Sequence, residues 1–252
     1  MQRDLDRLME WGDRWGMRFN SSKCNIMRIS RSRSPMTKAY QLGGDTLQEV
    51  DSAKYLWITI SKNLEWSTHV SCTAAKAERT LGFLKRNLKH CPENLKRTAY
   101  ISLVRPTLEY GSSVWDPHLE RDKASLERVQ RKAARFIKND HRNTSSVSKM
   151  LQNLGLPPLE ERRKDQRLTL IYKITHNLVE VDPEGLGLEK PTRETRANNN
   201  LKYKCRAATT PELKFSLIYR TIPEWNKLPS EIAEAETVAR FKTNLAALRS
   251  SN

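Results

Sequence analysis

From Trp66 onward the apolar residues follow a helical period that leaves few architectures open. Val70, Ala74, Ala77, Leu81, Leu84 and Leu88 step by 4, 3, 4, 3 and 4, a narrow apolar stripe on a helix whose start Ser67 or Thr68 can cap. Pro92 suits the first turn of a second helix, which carries Leu95, Ala99 and Leu103 inward until Pro106 kinks or stops it. Beyond the loop "GSSVWDPH", Leu126, Val129, Ala133 and Phe136 mark the inner face of a third helix. Its other faces hold Arg128, Arg131, Lys132, Arg135 and Lys138. Short connections between three amphipathic helices predict a compact bundle.

Upstream the period changes. Leu5, Leu8, Trp11 and Trp15 predict a helix that Gly16 ends, and "FNSSKCNIMRIS" reads as a turn and a short strand. "YQLGGDTLQEV" reads as two strands joined by a Gly-Gly turn, and "KYLWITI" as the next strand. A helix on a small antiparallel sheet is too little to bury a core alone. Downstream, Pro157 and Pro158 break a helical pattern into a short and a long helix. Within it "ERRKDQR" (161–167) presents either a basic face or intrahelical pairs. Residues 182–211 have the Gly, Pro, Asn and charge of a mobile loop with at most a short strand. Trp225, Leu228 and Pro229 of "EWNKLP" are expected to dock a last helix, about Thr237–Leu248. The expected class is α+β, mainly α, divided into 1–62, 63–140 and 141–252.

Charge narrows the partners. The chain has 45 Lys and Arg against 29 Asp and Glu, a net charge of +16, which points to a polyanion, most often nucleic acid. Between Lys76 and Arg142 the count is 16 against 8, so the middle segment holds +8 of it. The four cysteines include no C-x-x-C pair, which signals neither a disulfide framework nor a zinc ribbon. Cys91 beside His90 lacks the ligand-pair spacing of a zinc site. No apolar run reaches the roughly 20 residues of a membrane helix. The expectation is an intracellular protein, cytoplasmic or nuclear, with no membrane partner.

The order of these motifs carries a resemblance. "DLDRLMEWGDRWGMRFN", "SSKCNIMRIS", "KYLWITI", "KAERTLGFLKRNL", "AYISLVRPTLEYGSSVWDPH", "LERVQRKAARFI" and "RTIPEWNKLPSEI" resemble, in sequence order, the C-terminal part of non-LTR retrotransposon reverse transcriptases of the jockey-like and chicken-repeat-like lineages. The resemblance implies the end of a palm, a helical thumb and a C-terminal extension. Its partner would be an RNA or RNA–DNA template–primer duplex, with the upstream polymerase segment as a second. It also implies that Lys54, Tyr55, Leu56 and Trp57 form the primer grip and that Lys85, Arg86, Lys89, Arg128, Arg131, Lys132 and Arg135 contact the duplex. The family has Gly where Trp57 stands. Trp57 is then a drifted or rearranged grip position, or it packs in a core with room for it.

Polymerisation needs paired carboxylates that hold two divalent ions. In the resembled family these lie upstream of residue 1, so a metal, Mg, is implied only together with that segment and no cofactor is expected here. Asp4 and Asp6, two apart on a helix, point to different faces. Lys23 matches the family lysine that assists departing pyrophosphate, as an accessory to catalysis. The expected function is a fragment of an RNA-directed DNA polymerase that binds template–primer and lacks the catalytic aspartates. The alternatives are a non-catalytic nucleic-acid-binding module and an inert remnant.

Overall fold

The computed structural model describes residues 1–34, 37–191 and 201–250. It is α+β and mainly α, with 55% helix and 7% strand. The chain divides into two compact units, Met1–His69 and Val70–Asn252. The second unit takes in most of the two ranges expected as bundle and extension.

In the first unit, α1 (Gln2–Arg14) ends through Gly16, whose φ of 68° is the left-handed conformation that glycine adopts without a Cβ clash. The chain then folds back across Gly12. A Cβ there would lie 2.9 Å from the Met17 carbonyl oxygen and from the Phe19 ring, so only glycine admits that approach. Among the described residues six short strands follow: β1 (Asn25–Ile26), β2 (Gln41–Leu42), β3 (Asp45–Thr46), β4 (Gln48–Glu49), β5 (Ser52–Tyr55) and β6 (Ile58–Ser61). They pair two by two. β2 and β3 form the expected hairpin, turning at Gly43 and Gly44 with φ of 61° and 88°. β1 pairs with β4 in parallel, a correction to the antiparallel sheet expected from sequence. Leu47 N–H donates to the Tyr40 carbonyl, and the strand runs on into that pairing without a second tight turn.

The largest correction concerns "KYLWITI". It is two strands, β5 and β6, with Tyr55 opposite Ile58 and a two-residue turn at Leu56 and Trp57. Both turn residues have positive φ, 45° and 67°, the signature of the type I′ turn whose twist matches the flanking strands. Sequence reads straight through this turn because the usual Asn-Gly signal is missing.

The second unit contains α2 (Ser67–Asn87, from Val70), α3 (Glu93–Ala99), α4 (Arg105–Glu109), α5 (Ser112–Trp115), α6 (Glu120–Lys138), α7 (Val147–Asn153) and α8 (Leu159–Thr175). After these come α9 (Pro211–Lys214), α10 (Leu217–Trp225), α11 (Ser230–Ala233) and α12 (Val238–Ser250). The stripe on α2 is buried as expected at Val70, Ala77, Leu81 and Leu84, and so is the inner face of α6 at Leu126, Val129, Ala133 and Phe136. The second helix presents a different face. Leu95 and Leu103 are 46% and 53% exposed, whereas Lys96, Tyr100, Val104 and Leu108 point inward. Tyr100 donates to Gln130 at 2.9 Å, and Lys96 lies over the Phe136 ring. Pro106 does not end this helix. Having no N–H for the carbonyl of Ser102, it is accommodated by one π turn, Tyr100–Val104, between α3 and α4.

Three sequence motifs meet in a buried charge cluster. Asp116, from "VWDPH", accepts from Arg163 Nε at 2.7 Å and Arg167 Nε at 2.9 Å, and pairs with Arg220 at 3.2 Å. Arg163 and Arg167, four apart on α8, share one face and are 1% and 2% exposed. Part of the expected basic face of "ERRKDQR" is therefore interior. Arg167 also reaches Glu224 of "EWNKLP" at 3.1 Å. In that motif Trp225 Nε1 donates to the Leu201 carbonyl, and the Asn226 amide both accepts from and donates to the Tyr203 backbone. The motif thus clasps the chain that follows 192–200. Of the loop expected at 182–211, residues 192–200 lie outside the described residues. Its flanks are held, with Leu188 and Tyr203 buried and Lys204 N–H bonded to the Glu189 carbonyl.

Candidate nucleic-acid interface

In the first unit the β5–β6 turn carries Tyr55, Leu56 and Trp57 into solvent, 67%, 66% and 71% exposed. Trp57 is therefore not a core residue, which overturns one of its two sequence readings. The Lys54 ammonium stands 4.9 Å from the centre of the Trp57 ring, a cation–π pair at the hairpin tip. Lys54 pairs across the ladder with Thr59, whose N–H donates to Nδ1 of buried His69 at 3.2 Å. That bond needs an unprotonated Nδ1. Burial lowers the His69 pKa and the nearby Lys54 charge lowers it further.

Lys23 ends a 3-10 turn, Ser21–Lys23, and is exposed. Asp4 pairs with the amino terminus and Asp6 accepts from Gln2. Among the described residues, no group of three or more His, Cys, Asp or Glu is placed to share a metal ion.

In the second unit the cations of α6 come together. Arg128, Arg131, Lys132 and Arg135 line one shallow groove of about 400 Å³ with Ala124, Glu127 and Val147. Their spacing of three, one and three residues places them on one side of the helix. Lys132 pairs with Glu78 of α2 at 2.5 Å, and Arg135 donates to the Arg142 carbonyl at 2.7 Å. Arg128 and Arg131 are exposed, and their side chains make no hydrogen bond or ion pair among the described residues. From α2, Lys85 approaches the same face. Its pKa is lowered, first by burial and then by Lys132, against an opposing effect of Glu78. Arg86 and Lys89 are exposed at the end of α2 and do not line the groove. Sequence found these cations from charge and helix period. It missed Val147 of α7 as the opposite wall, for which a period gives no signal.

The chain is 28% identical over 141 residues to the RNA-directed DNA polymerase of transposon BS of Drosophila melanogaster, a match covering 54% of this chain and 16% of that protein. It is 28% identical over 120 residues to the RNA-directed DNA polymerase of the mobile element jockey, covering 46% and 13%. The chain is homologous to the RNA-directed DNA polymerases of non-LTR retrotransposons. A third relative of this reverse-transcriptase homologue is the 115 kDa protein of the type-1 retrotransposable element R1DM, also of Drosophila melanogaster. It is 30% identical over 172 residues, covering 65% of this chain and 16% of that protein. The chain spans between about an eighth and a sixth of the length of these curated relatives. No protein-family model matches it, and no solved structure does. Among the described residues, no helix is long and apolar enough to cross a membrane.

Proposed function

We propose that the chain serves an RNA-directed DNA polymerase of the non-LTR retrotransposon kind as a nucleic-acid-binding part, within the cell. In this reading the first unit is the end of a palm, the helices around α2 and α6 are a thumb, and the remainder is a C-terminal extension. The observation that carries it is the run of Arg128, Arg131, Lys132 and Arg135 along one wall of a groove, the side chains of Arg128 and Arg131 having no hydrogen-bond or ion-pair partner among the described residues. Guanidinium groups held this way contact phosphates whatever the base sequence. The relatives, named as RNA-directed DNA polymerases, support nucleic acid as the polyanion.

The hairpin tip fits a primer end. A ring beside a cation offers a face to a base or sugar and a charge to its phosphate. The metal-binding carboxylates would come from a polymerase segment outside this chain, with Lys23 as an accessory. Leu8, Trp11 and Trp15, exposed along one side of α1, support a further polypeptide covering that side.

The test is retention of a labelled RNA–DNA duplex on a filter at low and at high salt. The reading expects binding that falls steeply with salt, about tenfold or more between 50 and 200 mM. It also expects the double reversal R128E/R131E to weaken binding well beyond K242E, a reversal at an exposed position of α12. No retention at low salt, or equal effects of the two variants, would overturn it.

A further inference from the structure

The groove on α6 does not end at Arg131. It opens into a second depression of about 500 Å³, lined by Ser148, Leu151 and Gln152 of α7 and by Leu156, Pro157 and Pro158 ahead of α8. Glu127 and Arg131 line both. The result is a channel with a cationic half and a mostly apolar half. Glu127, at its waist, is already engaged, accepting from Leu159 N–H at 3.0 Å and from Gln130 Nε2 at 3.2 Å.

We infer that this channel seats one unpaired strand of nucleic acid rather than a duplex, an inference that rests on the nucleic-acid-binding reading above. Chemistry decides between the two. A duplex keeps its bases stacked inside and offers the groove only its phosphates, whereas a single strand can also lay unstacked bases on an apolar surface. Arg128, Arg131 and Arg135 are spread over roughly 10 Å of helix at 1.5 Å per residue, a run suited to successive phosphates. Beside them half-buried Pro157 and exposed Pro158 give unstacked bases an apolar surface, with proline rings in place of the aromatic platform common at such sites. An acidic peptide would meet the cations only where its carboxylates fell, but a strand presents one charge per residue.

The experiment measures fluorescence anisotropy of the full chain with a labelled single-stranded RNA and with the same strand annealed to its complement. Variants carry R131E on one wall or S148E/Q152E on the other. Ser148 and Gln152 are exposed on α7, and thermal melts by circular dichroism check that each variant folds. The expected result is tighter binding of the single strand, weakened about tenfold by either variant, with the duplex changed less than about threefold by S148E/Q152E. Equal response of strand and duplex to S148E/Q152E, or no response of the strand, overturns the channel and leaves nucleic-acid binding standing. Binding of neither form overturns both readings. Displacement of the strand by polyglutamate at equal charge concentration also overturns the channel, identifying a site for acidic peptide instead.

Discussion

Trp57 shows how a single residue can be legible in kind and misplaced in role. Its strand propensity is real, but it occupies a turn position with φ of 67°, where glycine fits without strain. The family's Gly at this place, implied by the resemblance, is accounted for by backbone conformation. Leu56, at φ of 45°, is under the same constraint. Leu56→Asn is expected to stabilise the first unit by about 0.5–1 kcal/mol, because Asn tolerates the left-handed region far better than Leu. Trp57→Gly should change stability by less than about 0.5 kcal/mol, since relief of strain is offset by glycine's entropy and the lost cation–π pair. Urea titration followed by circular dichroism checks both, and a loss above about 1 kcal/mol for either contradicts the turn. His69 supplies a pH test on the same unit. Its folded pKa is depressed by burial and by Lys54, so the folded state binds its proton less readily than the unfolded chain. The stability that neutral His69 confers is therefore present above its ordinary pKa of about 6.5 and is lost as pH falls through the depressed value. His69→Gln should flatten that part of the stability-versus-pH curve. An unchanged acid limb would show that another group is responsible.

At the scale of elements, most helices were legible because their apolar residues repeat at 3.6 over many turns, as on α2 and α6. The face of the second helix was not. Two parallel series, Leu95–Ala99–Leu103 and Lys96–Tyr100–Val104–Leu108, both repeat every four residues, and the inward one begins with a lysine. Contacts with α6 distinguish them, Tyr100 with Gln130 and Lys96 with Phe136. Asp116 was equally invisible, because ion pairs between residues 47, 51 and 104 apart leave no local pattern. It joins α8 and α10 through three arginines. Asp116→Asn leaves buried Arg163 without its counter-charge and Arg167 with Glu224 alone, and should cost about 3–5 kcal/mol. A shift of the denaturation midpoint equivalent to less than about 1 kcal/mol would mean that the cluster contributes little. Arg249→Ala, at a half-exposed pair with Glu161 and Asp165, serves as the contrast and should cost no more than about 1 kcal/mol.

For the whole molecule, composition pointed to a polyanion and motif order to a polymerase family, and homology to RNA-directed DNA polymerases agrees with that family. Sequence marked which cations share the α6 face; the groove's other wall comes from α7, brought there by tertiary packing. The uncovered side of α1, with Trp11 and Trp15 exposed, has the same origin. Its stripe was read correctly as apolar, but whether a stripe is covered depends on what packs against it. The central claim is that the α6 cations contact phosphates, and the salt dependence of nucleic-acid affinity tests it most directly. Affinity would be measured across a range of salt concentrations for the natural chain and for Arg131→Ala. The account predicts a steep negative slope of log affinity against log salt, made shallower by about one in the variant. A slope near zero, or the same slope in both proteins, would contradict it.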